Sequence, residues 1–237
     1  MNVGCKYKNK YFSILGDSLS TLAGYNPPEY SVFYDGDVKY ISGVYTAAET
    51  WWGIVIDSLG GELLMNGSYS GTTVAKHPEC EIESYGSSSS RTSSLGSSDH
   101  APDVIMVFIG LNDYGRGMPI YPTENNDGIG VFSVAYRTML AKIKANYPES
   151  EVWCLTLPCG ISNSLEKPLM PPRRSGGDLA DYSAAIRECA NDFDCRVIDI
   201  CNPDEPYATI DGYHPTSDGM RTIAKAVLRC VDEFSDK

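Results

Sequence analysis

Ser18 is a candidate nucleophile, and a serine in that role works together with a histidine and an aspartate. Ser18 follows an apolar run and stands between Asp17 and Leu19. A serine becomes an effective nucleophile when a general base accepts its proton and a third group orients that base. The alternative is that Ser18 only caps a helix. The choice between these interpretations depends on whether the chain offers a suitable base.

The chain contains only three histidines that could act as that base. His77 precedes a proline and His100 lies in a serine-rich segment, and both are interpreted as surface polar residues. His214 differs, because Asp211 stands three residues before it in the stretch DGYHP. A carboxylate at that spacing can reach the imidazole and fix its tautomer. His214 and Asp211 are therefore the candidate base and its orienting group.

Acyl transfer also requires hydrogen-bond donors at the developing oxyanion. Gly71 follows an apolar run, and its backbone N–H can approach a substrate closely because no side chain intervenes. Asn112, in the stretch FIGLNDYG, offers a side-chain amide. The alternatives are an ordinary turn at Gly71 and a helix cap at Asn112.

Strands and helices must bring these residues together. Five short apolar runs predict buried strands at 11–17, 62–68, 103–110, 151–158 and 195–200. Helical patterns lie between and after them, at 48–60, 131–146, 178–192 and 216–233. This alternation predicts an α/β protein with a parallel sheet between two helix layers. Ser18, Gly71, Asn112 and the DGYHP stretch all follow strands, so they are expected at one crevice.

Three further segments are predicted to be loops. Residues 85–103 are rich in serine and glycine and are interpreted as a mobile surface connection. Residues 114–130 and 158–177 are long, rich in Pro, Gly and Asn, and follow the carboxyl ends of strands. Because ligands bind at that edge of open α/β sheets, these two loops are the candidate substrate walls.

Length and composition limit the class of protein. The 237 residues are 42% hydrophobic and are interpreted as one domain, 1–237. A membrane span is not predicted, and no leader pattern is visible, so a cytoplasmic location is expected, or secretion if a leader was removed. The net charge of −12 argues against nucleic acid as a partner. Most of the eight cysteines are expected to be reduced, and the oligomeric state stays open.

Four short stretches together resemble the SGNH (GDSL-type) hydrolase family. They are Gly-Asp-Ser-Leu at 16–19, Ser-Gly at 70–71, Gly-Leu-Asn-Asp at 110–113 and Asp-Gly-Tyr-His-Pro at 211–215, in family order. The resemblance implies a three-layer α/β/α sandwich with a flavodoxin-like, five-stranded parallel sheet. It also implies that Ser18 is the nucleophile, His214 the general base and acid, and Asp211 its orienting group. The implied oxyanion hole consists of the Ser18 N–H, the Gly71 N–H and the Asn112 amide.

The expected function is that of a serine ester hydrolase acting on acetyl or other short acyl groups of a carbohydrate or small ester. No metal or organic cofactor is expected for this chemistry. Aromatic residues in and around the loops suit sugar rings, namely Tyr25, Tyr30, Tyr114, Tyr121 and Tyr213. The alternatives are a thioesterase or lysophospholipase of the same fold, or a carbohydrate-binding protein without turnover.

Overall fold

Five parallel strands form the centre of the protein. The computed structural model describes residues 6–78, 83–158, 176–202 and 206–233. The strands are β1 (Tyr11–Gly16), β2 (Glu62–Asn66), β3 (Val104–Phe108), β4 (Glu151–Leu155) and β5 (Arg196–Ile198). Each pairs in parallel with its neighbour, in the order β2-β1-β3-β4-β5. This confirms the predicted five-stranded parallel sheet.

The strand order places a crevice next to β1. The chain leaves β1 towards β2 on one side, and later returns to add β3 on the other side. In open α/β sheets, the carboxyl ends of strands at such a reversal form the ligand-binding crevice. Ser18 lies two residues after the end of β1, so the fold places it at this position.

Helices cover both faces of the sheet. Their bounds are α1 (Gly36–Ser42), α2 (Trp51–Leu59), α3 (Ser89–Ser93), α4 (Leu111–Arg116), α5 (Phe132–Asn146), α6 (Leu179–Asp192) and α7 (Ser217–Glu233). Helices α2 and α7 pack against each other, whereas α5 packs against α3 and α6. The result is the α/β/α arrangement expected from the sequence.

Burial of the sheet explains its apolar sequence. All five residues of β3 are buried, because helices cover both faces of this central strand. At the edge, β2 is only partly buried and begins with the exposed Glu62. Trp153 of β4 packs edge-on against Phe12 of β1, with ring centres 5.8 Å apart. Each such fully buried side chain contributes about 1.5–3 kcal/mol to stability.

Most predicted strands and helices are confirmed, with shorter bounds. The interpretation of residues 85–103 is wrong. This segment was predicted to be a mobile surface connection, whereas it contains α3 and the buried residues Arg91, Thr92 and Leu95. Helices α1 and α4 were also missed, because each is only six or seven residues long. The predicted loop 158–177 lies outside the described residues except for 158, 176 and 177.

Two general expectations can also be compared with the described residues. None of the described helices is long and apolar enough to cross a membrane. Cys154, Cys189, Cys195 and Cys230 are free thiols, as expected, whereas Cys201 is disulfide-bonded.

Candidate active site

The turn after β1 holds Ser18 firmly in place. Ser18 begins a single 3₁₀ turn, Ser18–Ser20, and Asp17 caps it by accepting a hydrogen bond from the Leu19 N–H at 3.1 Å. Ser18 itself is therefore not the cap. A Cβ at Gly16 would lie 2.7 Å from Ser68 Oγ and 2.9 Å from Ser20 Oγ, so a larger residue there would displace these two side chains. The backbone around Ser18 is thus fixed by its immediate neighbours.

Core side chains anchor the far end of this turn. The indole N–H of Trp52 and the side-chain amide of Asn66 both donate to the Ser20 carbonyl, at 3.0 and 2.8 Å. The indole N–H of Trp51 donates to Ser20 Oγ at 3.1 Å. These contacts connect the turn to α2 and β2, so movement of Ser18 would disturb the core.

A chain of hydrogen bonds connects Ser18, His214 and Asp211. Ser18 Oγ lies 2.9 Å from His214 Nε2, and His214 Nδ1 lies 2.7 Å from Asp211 Oδ2. An ionised carboxylate only accepts, so Nδ1 carries the proton and Nε2 accepts from the serine hydroxyl. The structure therefore brings together three sequence-predicted residues that span 196 positions of the chain.

Hydrogen bonds keep Asp211 ionised. Burial alone would raise the pKa of Asp211, but donors from the His214 side chain and backbone and from the Tyr213 N–H outweigh burial and lower the pKa to about 2. The backbone N–H groups of His214 and Tyr213 donate to Oδ1 at 2.8 and 3.0 Å. Oδ2 is therefore left to orient the imidazole.

Phe33 lies flat against the imidazole of His214. The two ring centres are 3.5 Å apart and the ring planes differ by 12°. The backbone N–H of Phe33 donates to Thr21 Oγ1 at 2.9 Å, which fixes the aromatic ring beside the nucleophile turn. Sequence reasoning missed Phe33, because no local pattern connects it to a histidine so distant in the chain.

Asn112 lies in the first turn of α4 and faces the same site. The N-cap residue of α4 is Gly110, which has φ of +135°, so the alternative of a helix cap at Asn112 is wrong. Asn112 Nδ2 lies 3.5 Å from Asp17 Oδ2. Burial raises the pKa of Asp17 to about 6, although hydrogen bonds and the nearby His214 and Arg91 act in the opposite direction. Asp17 thus contacts the amide that follows β3.

Gly71 lies in the loop that follows β2, beside the end of β1. It has φ of +79°, a conformation that favours glycine. The Tyr69 N–H donates to the Gly16 carbonyl at 3.1 Å, so this loop runs next to the nucleophile turn. Gly71 makes no described contact with Ser18 or Asn112, and its part in an oxyanion hole stays a prediction.

Asp113 connects the Asn112 helix to the Gly71 loop. Its buried carboxylate accepts from the Val74 N–H at 2.8 Å and from the Ala75 N–H at 3.0 Å. Burial raises the pKa of Asp113 to about 7 despite these two donors. The residue directly after Asn112 therefore holds the loop that carries Gly71.

Arg91 holds the chain where β1 and β2 end. Its guanidinium donates to the carbonyls of Gly16 and Gly67, each at 2.9 Å, and its carbon lies 5.5 and 5.8 Å from the ring centres of Tyr30 and Tyr69. Burial lowers the pKa of Arg91 to about 10, so it stays charged near neutral pH. Its place in a serine-rich segment gave no signal of this role.

A small cavity opens onto these groups. Its volume is about 270 Å³, and its described lining consists of Ser18, Leu111, Asn112, Gly115, Arg116, Tyr213 and His214. Gly115 and Arg116 belong to the predicted wall 114–130, which thus contributes to the site. Of the tyrosines expected to bind sugar rings, Tyr213 lines this cavity, whereas Tyr114 is buried against Tyr182 and Tyr30 packs on Tyr69.

Comparison with known proteins gives the family. The profile of the GDSL-like lipase/acylhydrolase family matches residues 10–169, about two thirds of the chain. The chain belongs to this family. The matched residues include Ser18, Gly71 and Asn112, whereas Asp211 and His214 lie beyond the match. The match of this GDSL-like hydrolase to the family therefore does not reach Asp211 and His214, whose connection to Ser18 is given by the hydrogen bonds.

Several solved structures have a similar fold. A protein from Bacteroides uniformis ATCC 8492 assigned to the GDSL-like lipases has 28% identity and a TM-score of 0.70, over 95% of this chain and 96% of that one. A similarly assigned Bacteroides ovatus ATCC 8483 protein has 23% identity and a TM-score of 0.72, over 95% and 99%. A family two carbohydrate esterase from Clostridium thermocellum, in complex with cellohexaose, has 15% identity and a TM-score of 0.59, over 97% and 66%. No curated protein sequence matches this GDSL-like hydrolase.

Proposed function

We propose that this GDSL-like hydrolase cleaves esters of short acyl groups, with Ser18 as the nucleophile. The observation that carries the proposal is the hydrogen-bond chain from Ser18 Oγ through His214 to Asp211, with links of 2.9 and 2.7 Å. Such a chain supplies both a base for the serine and an orienting group for the base. The neighbouring cavity gives a substrate access to the same oxygen.

In the first half of the reaction, Ser18 Oγ attacks the ester carbonyl carbon while Nε2 of His214 accepts the serine proton. Asp211 stabilises the resulting imidazolium, and the carbonyl oxygen becomes an oxyanion. The Asn112 amide and the backbone N–H groups of Ser18 and Gly71 donate hydrogen bonds to that oxyanion. When the intermediate collapses, His214 gives its proton to the leaving alcohol and the acyl group stays on Ser18.

In the second half, water replaces the alcohol. His214 accepts a proton from the water, whose oxygen attacks the acyl carbonyl, and the same donors stabilise the second oxyanion. Collapse of this intermediate returns the proton to Ser18 Oγ and releases the carboxylic acid. Protein groups supply every proton transfer of this scheme, so it requires no metal or organic cofactor.

The size of the cavity favours a short acyl group. About 270 Å³ is at the lower limit of small-molecule sites, and Leu111 is the only aliphatic side chain in its described lining. The similar fold of the Clostridium thermocellum carbohydrate esterase supports a sugar ester as the substrate. Acetyl groups on a carbohydrate are therefore our preferred substrate class. Thioesters and lysophospholipids are the alternatives that an acyl-length profile separates.

Two measurements test this proposal. The first is covalent labelling by a fluorophosphonate probe, with Ser18→Ala as the control variant. Labelling that depends on Ser18 is expected, and its absence would favour a carbohydrate-binding protein without turnover. The second is hydrolysis of nitrophenyl esters with two to twelve acyl carbons, beside acetate release from acetylated sugars. A maximum of kcat/KM at two to four carbons is expected, and a maximum at eight or more would contradict the short-acyl assignment.

A further inference from the structure

An arginine lies in the same cavity as Ser18, and the reaction scheme does not use it. Arg116 is the last residue of α4 and is exposed, and it lines the cavity together with Ser18, Asn112 and His214. A guanidinium cation offers several N–H donors in a planar fork that matches a carboxylate. Its place in the cavity suggests a role in recognising substrate.

The helix fixes Arg116 relative to the proposed oxyanion site. Asn112 and Arg116 are four residues apart in α4, so their side chains leave the same face, with Cβ atoms about 5–6 Å apart. The helix itself is held in place, because Asp113 is buried and bonded to the Val74 and Ala75 N–H groups. A guanidinium one helical turn from the Asn112 amide can therefore reach a substrate group a few bonds from the scissile carbonyl.

Arg116 places a permanently charged side chain in the described lining of the cavity. The described lining residues include the cation Arg116 and the titratable His214, but no aspartate or glutamate. Two carboxylates lie beside this lining. Asp211 is engaged by His214 and two backbone N–H groups. Asp17, 3.5 Å from Asn112 Nδ2, is buried and accepts from the Leu19 N–H. The chain as a whole carries a net charge of −12. The guanidinium of Arg116 would favour esters that carry a negative charge over neutral esters at the site.

We propose that the cavity takes esters that carry a carboxylate near the scissile bond, and that Arg116 binds this carboxylate. This inference rests on the proposed function, because it assumes that Asn112 faces the reacting carbonyl. The carboxylate belongs either to the acyl group, as in the half-ester of a dicarboxylic acid, or to the alcohol, as in an acidic sugar. Arg116 is thus a specificity residue for the ester hydrolysis that Ser18 performs.

Matched pairs of esters test the preference for a carboxylate. For the acyl side, monoethyl succinate is compared with ethyl succinamate, and for the alcohol side, 4-acetoxybenzoate is compared with 4-acetoxybenzamide. In each pair a neutral amide of nearly the same shape replaces the carboxylate. We expect kcat/KM to favour the carboxylate by about two- to fivefold in one pair, since an exposed ion pair contributes up to about a factor of five. The pair that shows the preference identifies the side that carries the anion.

Variants of Arg116 test its part in this preference. Arg116→Gln should reduce the carboxylate-to-amide ratio to about one, Arg116→Lys should retain part of it, and Arg116→Glu should reverse it. The control is Arg137→Gln, which removes a partly exposed guanidinium that lies outside the described cavity lining. That variant should leave the ratio unchanged. Rising salt should reduce the ratio in the wild type, since salt screens exposed charges.

The outcomes separate this inference from the proposed function. A carboxylate-to-amide ratio near one in both pairs, or an unchanged ratio in Arg116→Gln, would overturn the role of Arg116. The proposed function would stand in that case if the neutral esters were still hydrolysed and this hydrolysis depended on Ser18. Hydrolysis that survives Ser18→Ala would overturn the proposed function instead. If no ester of either pair is hydrolysed, the inference about Arg116 fails. The proposed function is then judged separately, by fluorophosphonate labelling that depends on Ser18 and by hydrolysis of 4-nitrophenyl acetate.

Discussion

Replacing Asn112 by alanine should lower the rate far more than the stability. Gly110 is the N-cap residue of α4, and the only described hydrogen bond of the Asn112 side chain is the 3.5 Å contact with Asp17. A bond of that length contributes less than about 1 kcal/mol, so the thermal midpoint should fall by less than about 4 °C. Loss of one oxyanion donor, by contrast, typically lowers kcat by about 10² to 10³, equivalent to about 2.7–4 kcal/mol.

The assay measures kcat and KM with 4-nitrophenyl acetate, beside the thermal midpoint of each variant. A matched control is Asn146→Ala, because the side-chain amide of Asn146 also donates one described hydrogen bond, to the Thr92 carbonyl at 3.1 Å. Asn146 lies at the end of α5 and outside the described lining of the cavity. This control should lose a similar amount of stability and retain its kcat. A small change of KM is expected for Asn112→Ala, since the donor acts mainly in the transition state.

Asn112→Asp is the more severe change. It replaces the amide donor with a carboxylate 3.5 Å from a carboxylate oxygen of Asp17, at the point where the oxyanion forms. Like charges at that distance raise the pKa of one of the pair and repel a developing negative charge. The kcat should therefore fall at least as far as in Asn112→Ala. A folded Asn112→Ala enzyme with kcat within about threefold of wild type would refute the assignment of Asn112 to the oxyanion hole.

Three further outcomes are expected. Ser18→Ala and His214→Ala should each lower kcat by several powers of ten and the double variant little further, because the residues act as a unit; additive losses would contradict this. Phe33→Leu should lower kcat about 2- to 10-fold through loss of the ring stack, with recovery in Phe33→Tyr; an unchanged kcat in Phe33→Leu would exclude a positioning role. Burial raises the pKa of Asp113 in the folded protein to about 7, above the ordinary value of 3.8. Between about pH 4 and pH 7 the folded state therefore holds a proton on this carboxyl that the unfolded state has lost, so wild type loses stability as pH rises through this range. The free energy of unfolding of Asp113→Asn, relative to that of wild type, should therefore be higher at pH 8 than at pH 5 by on the order of 2 kcal/mol. Urea unfolding at both pH values measures it. A difference between variant and wild type that is the same at pH 5 and pH 8 would contradict the raised pKa of Asp113.

The sequence contains the information for the sheet and for the residues that follow it. Runs such as that of β3 are apolar throughout because helices cover both faces, so they are visible without any partner. Ser18, Asn112 and His214 each follow a predicted strand or stand in a short turn stretch, and parallel strands bring such positions to one edge. Local pattern and topology were therefore sufficient to predict the gathering of these three residues.

The supporting residues could not be found in the same way. Arg91 stands in a serine-rich stretch whose composition is typical of an exposed loop, yet it is only 2% exposed. Three of its four acceptors are backbone carbonyls, those of Gly16, Gly67 and Ser84, and every residue type offers a carbonyl, so no side-chain pattern marks these contacts. Phe33 poses the same problem, because its contact with His214 depends on how two distant loops fold over the sheet.

The three buried ionisable groups around Ser18 explain why stability and site geometry depend on the same contacts. Asp17, Asp113 and Arg91 are all withdrawn from water, and burial disfavours the charged form of each. Where β1, β2 and β3 end, backbone groups lose their partners in the sheet and still require hydrogen bonds. Carbonyls such as those of Gly16 and Gly67 find them in Arg91. An apolar side chain at position 91 would fill the space but remove a donor from both carbonyls, leaving that of Gly16 with the Tyr69 N–H and that of Gly67 without the guanidinium. The strand ends that carry the site would then lose their positions together with their stability.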